Sequence, residues 1–417
     1  MVREGWVECP ITDILLSNGI KIGPFGSQLK KETFVPYGQY KVYGQENVYE
    51  KDFSLGERYL HRAHFDKLSS CEILPGDFLM STMGTIGKCA IVPDDIQKGI
   101  MDSHLVRLRF DKKKINQEYL LQLFSDDFGY LRNQTERLSV GGIMDGLSVG
   151  IVSSLVVSYP ESIEEQNAIV NVLKETDKLV LNLRKEIAKK KNIKYGVLQS
   201  YVTGKTRIDG FSSKWEEKTI DELCTLVTKQ TGFDYSAEIK PSLVEVHYSN
   251  TLPFLQNKDF EGYSINYDTD FYIPTKVAYK YPKIFLDDIC LLISISGRIG
   301  NVAMFNHDRD AFVGGAVGVA KFKNPELVEW TMLYLMGTDG QKQIFENEKA
   351  GAQHNLTVED VRHLTILIPG DDEIKAITAM LSDIEEDIIH LEHKLEKYKM
   401  LKQGMMSDLL TGKIRLV

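Results

Sequence analysis

Fifteen residues in the middle of the chain, K-Y-G-V-L-Q-S-Y-V-T-G-K-T-R-I (194–208), return without a gap as K-Q-G-M-M-S-D-L-L-T-G-K-I-R-L (402–416), six of them identical. The offset is 208 in a chain of 417, and the correspondence continues upstream. Trp6, Glu8, Ile11 and Ile14 answer Trp215, Glu217, Ile220 and Leu223, while Leu147, Val149, Val152, Leu155 and Pro160 answer Leu356, Val358, Val361, Leu364 and Pro369, each at an offset of 209. Gly84-Thr85-Ile86-Gly87 matches Gly297-Arg298-Ile299-Gly300 at 213, which requires a few inserted residues in the second copy. Solenoid repeats are far shorter, roughly 20–45 residues. The chain is a tandem duplication, and its two halves must fold alike.

The repeated T-G-K also tests a nucleotide-binding reading. A phosphate-binding loop needs a glycine five residues before its G-K, so that successive N–H groups wrap the phosphates. Gln199 occupies that place, and Ile414 replaces the magnesium-binding hydroxyl in the second copy. The motif therefore serves another purpose.

Each copy divides into a globular part, 1–160 and 214–370, and a tail, 161–213 and 371–417. The globular parts carry short apolar runs rich in β-branched and aromatic residues, punctuated by Gly, Pro and Asn, the pattern of mixed strands and short helices. In the first tail Ile169, Leu173, Thr176, Val180, Leu183 and Ile187 fall on alternating 4-3 spacing, with Lys190 and Lys194 in the next slots. Ile377, Leu381, Ile384, Ile388, Leu391 and Leu395 repeat the seam, with Lys402 in register. Heptads of this kind predict two long helices packed on each other. The expected class is α+β: two mixed α/β domains in tandem, separated and held by an antiparallel coiled coil. A helix of about 38 residues is roughly 57 Å long. Such a rod would present two reading surfaces a fixed distance apart, as two half-sites on duplex DNA require.

Composition excludes several classes. The five cysteines form no C-x-x-C pair and are odd in number, which points to reduced thiols. With no apolar stretch of membrane-spanning length and no leader-like start, a cytoplasmic protein is expected. The net charge of −9 weighs against nucleic acid only weakly, because a DNA cleft needs only local positive potential. No G-x-G-x-x-G opens a helix, no N-P-P-[YF] or D-P-P-Y is present, and the nine histidines lack ligand spacing. Asp94-Asp95…Lys98 leaves no room for a strand between the acids and reads as a surface turn. No catalytic residue, cofactor or metal is expected.

Several segments then carry a resemblance: I-K-I-G-P-F-G-S-Q-L-K-K (20–31), G-D-F-L-M-S-T-M-G-T-I-G-K-C-A-I-V-P (76–93), P-E-S-I-E-E-Q-N-A-I-V (160–170), T-G-F-D-Y-S (231–236), L-L-I-S-I-S-G-R-I-G-N-V (291–302) and both T-G-K-x-R endings. In order and in duplication the chain resembles the specificity subunit of Type I restriction-modification systems. The resemblance implies a target-recognition domain (1–160), a central spacer helix (161–213), a second recognition domain (214–370) and a C-terminal spacer helix (371–417). It implies a non-catalytic protein that reads a split, asymmetric DNA target. Its partners would be two modification (methyltransferase) subunits and, in the restriction complex, two restriction (motor-nuclease) subunits. The same residues leave open the specificity portion of a fused or orphan adenine methyltransferase, or a coiled-coil scaffold without nucleic acid.

Candidate DNA contacts follow from side-chain chemistry. In the first copy they are Gly26, where backbone could approach a phosphate, Ser27 and Gln28 for base edges, and Lys30 and Lys31 for phosphates. The counterpart segment holds Lys229, Gln230, Thr231, Phe233, Asp234 and Tyr235, with Asp234 placed to accept from a cytosine amine. Thr82, Thr85 and Lys88 pair with Ser296, Arg298 and Asn301 around glycines that read as framework turns. His104, Gln353 and His354 complete the set.

Overall fold

The computed structural model describes residues 3–139, 146–306, 308–346 and 355–416. Contacts divide the chain into two units, one of residues 1–184 with 392–417 and the other of 185–391. The division cuts both long helices, Ile163–Val197 and Asp371–Leu409, so each unit owns a globular part and half of each helix.

In the first unit a four-stranded antiparallel sheet runs in the order Leu15–Ile22, Leu105–Phe110, Phe78–Ser81, Cys89–Ile91. A second sheet, Tyr59–Leu60, Tyr40–Tyr43, Gly99–Met101, Glu72–Ile73, contains one parallel pair. Phe78 to Ser81 is buried throughout because the first sheet is covered on both faces. Strand alternation sends Phe78 and Met80 into a core shared with the helices, and Leu79 into the core beneath the second sheet.

The second unit repeats this design. Cys224–Lys229, Val317–Phe322, Cys290–Ser294 and Val302–Phe305 form its first sheet, and Tyr272–Pro274, Thr251–Leu255, Ala311–Val313 and Phe285–Leu286 its second. Leu291 and Ile293 face the helical core, while Cys290 and Leu292 face the other. A small hairpin, Phe260–Glu261 with Ser264–Ile265, belongs to this copy only among the described residues.

Inside each unit the two half-helices pack antiparallel. In the first, Ile169 and Leu173 join Met406 and Leu409 in one core; in the second, Ile377 and Leu381 join Leu198 and Val202. Val180, Leu183, Ile187, Ile388 and Leu395 are buried, whereas Ile384 and Leu391 are only half-buried. The lysines of the seam are satisfied by carboxylates at matching repeat positions. Lys194 binds Glu385 at 2.6 Å, and Lys402 binds Asp177 at 2.8 Å and Asp127 at 2.6 Å. Polar pairs at seam positions specify register and direction. Lys190, in the next slot of the same seam, reaches Asp387 at 2.6 Å.

The T-G-K-x-R endings are helix terminators that fasten each long helix to the start of the other. Gly204 and Gly412 take φ of +72° and +67°, the left-handed turn that ends a helix and that glycine adopts without strain. Three residues on, Arg207 grips Glu373 through two hydrogen bonds of 2.6 Å, and Arg415 grips Glu165 at 2.5 and 2.6 Å. Both glutamates lie in the first turn of their helices and are essentially fully buried. A carboxylate there also meets the positive end of the helix dipole. Trp215 donates its indole N–H to Glu373 at 3.0 Å and lies beneath the Arg207 guanidinium. Trp6 takes the same place beside Gly412, and Arg415 also donates to the Glu4 carbonyl at 2.8 Å.

Candidate nucleic-acid interface

Strand direction gathers the candidate segments. In the first unit, register pairs Ile22 and Met80 with Val106, Ser81 with Leu105, and Met80 with Cys89. The strand ending at Ile22 and the one starting at Leu105 therefore meet the Ser81–Cys89 hairpin loop at one end of the sheet. Loops 23–31, 82–88 and 102–104 form that end. In the second unit Lys229 pairs with Gly318, Ser294 with Val317 and Ile293 with Val302, which gathers 230–235, 295–301 and 314–316 at the same end of its sheet.

Within loop 23–31, Gly23 is pressed on the Asp102 carbonyl so closely that a Cβ would lie 1.7 Å from its oxygen. Its N–H donates to Leu105 O at 2.9 Å. Beyond that anchor a turn closes from Gln28 N to Phe25 O at 2.8 Å, and Gly26, Ser27, Gln28, Lys30 and Lys31 are all exposed. The hairpin loop holds Gly84 and Gly87 at φ +64° and +76°, answered by Gly297 and Gly300 at +75° and +83°, so these glycines are framework turns. Thr85 and Arg298 are exposed on them. Ser296 is half-buried, its carbonyl accepting from Asn257 Nδ2 at 2.8 Å.

Three candidates are occupied elsewhere. Thr82 is only 2% exposed, because it closes the sheet between His104 and Leu147 through its backbone. Lys88 is tied to Asp126, whose carboxyl it holds below the usual range together with Arg132. Asn301 points inward, donating to Phe260 O at 2.6 Å and Asn257 O at 3.3 Å. Gln353 and His354 lie outside the described residues.

His104 is exposed, its ring 3.8 Å from the buried Asp102 carboxylate, which also receives Arg58 at 3.2 Å. Sequence reasoning passed over Arg58 and Asp102, because the contact spans 44 residues and no local spacing announces it. Burial beside Arg109 pulls the Arg107 guanidinium below its ordinary range, and Asp77 accepts from Arg109 at 2.6 and 2.9 Å beneath the sheet.

In the second unit Thr231 caps a helical turn, accepting from Asp234 N at 3.2 Å and donating to its carboxylate at 2.6 Å. Lys229 and Phe233 are exposed, and Tyr235 is half-buried. Gln230 is 3% exposed, and neither end of its amide has a hydrogen-bond partner. It borders a cavity lined also by Lys229, Thr231, Gly232, Tyr235 and Gly315. Among the described residues, no group of three or more His, Cys, Asp and Glu could hold a metal, and no helix is long and apolar enough to cross a membrane.

Comparison with known proteins places this architecture. The family model described as the Type I restriction modification DNA specificity domain matches residues 4–194 and again 212–398. The MjaVIII Type I restriction enzyme specificity subunit of Methanocaldococcus jannaschii is 24% identical over 337 residues, covering 77% of this chain and 75% of that protein. A putative MjaX specificity subunit from the same organism is 25% identical over 375 residues, 84% and 81% of the two chains. Among solved structures, a Type I S subunit from M. genitalium superposes with a TM-score of 0.56 at 13% identity over 98% of this chain and 96% of that one. The HsdS subunit from Thermoanaerobacter tengcongensis gives 0.52 at 17%, over 99% and 98%. With two matches that fill nearly the whole duplicated chain, the protein belongs to the Type I restriction-modification DNA specificity family, as a non-catalytic specificity subunit.

Proposed function

We propose that this chain reads a bipartite, asymmetric DNA target, one half-site with each unit, and carries two modification subunits and two restriction subunits to it in the cytoplasm. The observation that carries the reading is the convergence of three loops at one sheet end in both copies, with exposed Ser27, Gln28, Lys30 and Lys31 in one and Lys229 in the other. Lysines there neutralise phosphates, and short polar side chains reach base edges. The loops differ in conformation, a turn closed at Phe25 and Gln28 against a capped helical turn at Thr231, as reading two different half-sites requires. The long helices, 35 and 39 residues, would fix the unread gap between the halves.

Methylation mapping of the host genome by long-read sequencing tests this. The expected result is a two-part adenine-methylated motif that disappears when this chain is deleted and returns when it is restored. An unchanged methylome after deletion overturns the proposal.

A further inference from the structure

Two phenylalanines stand where the free chain has no use for them. Phe25 is 70% exposed and Phe233 is 82% exposed. They stand in the corresponding loop of the two copies, Phe25 three residues past Ile22 and Phe233 four past Lys229, where the first strand of each main sheet ends. Surface phenylalanines scattered singly need no explanation. A pair set in the corresponding loop of both copies does.

Neither backbone is loose. Phe25 accepts the turn-closing hydrogen bond from Gln28 N at 2.8 Å, behind the Gly23 anchor, and Leu29 packs into the core just beyond it. Phe233 sits inside the turn that Thr231 caps at Asp234 N, which Tyr235 N closes onto Thr231 O at 3.1 Å. Each backbone is fixed while its ring is left in solvent.

A glycine neighbours each ring, Gly26 after Phe25 and Gly232 before Phe233. A Cβ added at either would meet nothing within 4 Å, and neither glycine has positive φ. Packing and backbone of the free chain therefore require glycine at neither position. A bare backbone beside an exposed ring suits something that comes close from outside. Lys30 and Lys31 follow the first ring in the same exposed loop, and Lys229 precedes the second, whose neighbour Asp234 is taken up by the Thr231 hydroxyl. These lysines suit an anionic partner.

We infer that Phe25 and Phe233 are a matched pair of apolar wedges, each entering the duplex at its own half-site and stacking on a partly opened base step. The inference rests on the DNA-reading function proposed above. Apolar side chains inserted between base steps are an established way to distort a duplex, and an aromatic face accepts any base. The shared wedges would thus supply affinity without sequence preference, leaving discrimination to the residues that differ between the copies.

The test uses the complex of the full chain with its modification subunits, and duplexes that this complex selects from a randomised pool. Phe25→Ala and Phe233→Ala should each weaken binding to the selected duplex about ten-fold or more, at unchanged melting temperature, because both rings are already in solvent. Phe→Tyr at either site should keep most of the affinity. With p-benzoylphenylalanine at position 25 or 233, illumination should cross-link the chain to DNA. Full affinity in both alanine variants, or cross-links to a modification subunit in place of DNA, would overturn the wedge while duplex selection itself upholds the parent reading. If the unmodified complex selects no duplex, the parent reading falls and the wedge with it.

Discussion

Gln230 is buried with both ends of its amide unpaired. An amide with neither end paired, buried to 3% exposure, costs roughly 1–3 kcal/mol for each unsatisfied group. Ile22 and Lys229 hold equivalent register positions, so its counterpart in the first copy is Gly23, and the fold itself has no need of an amide there. Gln230→Met should therefore stabilise the chain by about 1–2 kcal/mol in urea unfolding. If the amide is held for a base, donor and acceptor matching adenine, the same variant should lose affinity for the target. Destabilisation, or a gain in stability with no loss of binding, would show that the amide has no such use. Gln28 and Lys30 separate reading from gripping. Gln28→Ala should cost about 1–3 kcal/mol on the methylated motif and little on other duplexes, whereas Lys30→Ala should weaken all duplexes alike and flatten the salt dependence. Titrating both variants against motif and scrambled duplexes decides it, and equal losses on the two DNAs for Gln28→Ala would remove its reading role.

At the scale of elements, the geometry of the T-G-K-x-R ending explains why Gly204 and Arg207 return as Gly412 and Arg415. It combines a left-handed glycine, an indole against that glycine and an arginine fork on a buried glutamate. Alanine in a left-handed conformation costs about 1–2 kcal/mol, so both Gly204→Ala and Gly412→Ala should destabilise by at least that much. They should differ, because a Cβ at Gly412 would lie 2.6 Å from the Trp6 ring and one at Gly204 3.1 Å from the Trp215 ring. Denaturant midpoints should place Gly412→Ala below Gly204→Ala. Wild-type stability in both would mean that the tails do not dock as described. Arg207→Lys should also weaken the second unit, since an ammonium cannot reproduce the two-pronged contact with Glu373.

For the whole molecule, the proposed ruler makes a prediction about distance. Four residues inserted near Lys190 add about 6 Å of rise and a little over one turn. B-DNA advances about 3.4 Å per base pair, so the unread gap should grow by one or two base pairs while both half-sites stay the same. Some affinity should be lost, because four residues are a stutter in the heptad seam. Methylation mapping of cells carrying the insertion reads gap and half-sites together. An unchanged gap, or new half-sites at the old gap, would show that the helices do not set the spacing.

The duplication, the two helical tails, their seams and the α+β class were legible in the sequence because each depends on local spacing: a repeat offset, a heptad, a period of two. The same holds for Gly84, Gly87, Gly297 and Gly300, whose turns need nothing beyond their neighbours. What the sequence left open depends on partners distant along the chain. The T-G-K motif became intelligible only when Arg207 met Glu373 and Arg415 met Glu165, contacts spanning 166 and 250 residues. Thr82, Lys88 and Asn301 carry suitable chemistry for DNA, yet the fold turns one into the sheet end and commits the others to Asp126 and to backbone carbonyls. Exposure is likewise a tertiary property. Composition cannot tell a core phenylalanine such as Phe78 from Phe25, because only the packed chain decides which rings water still reaches.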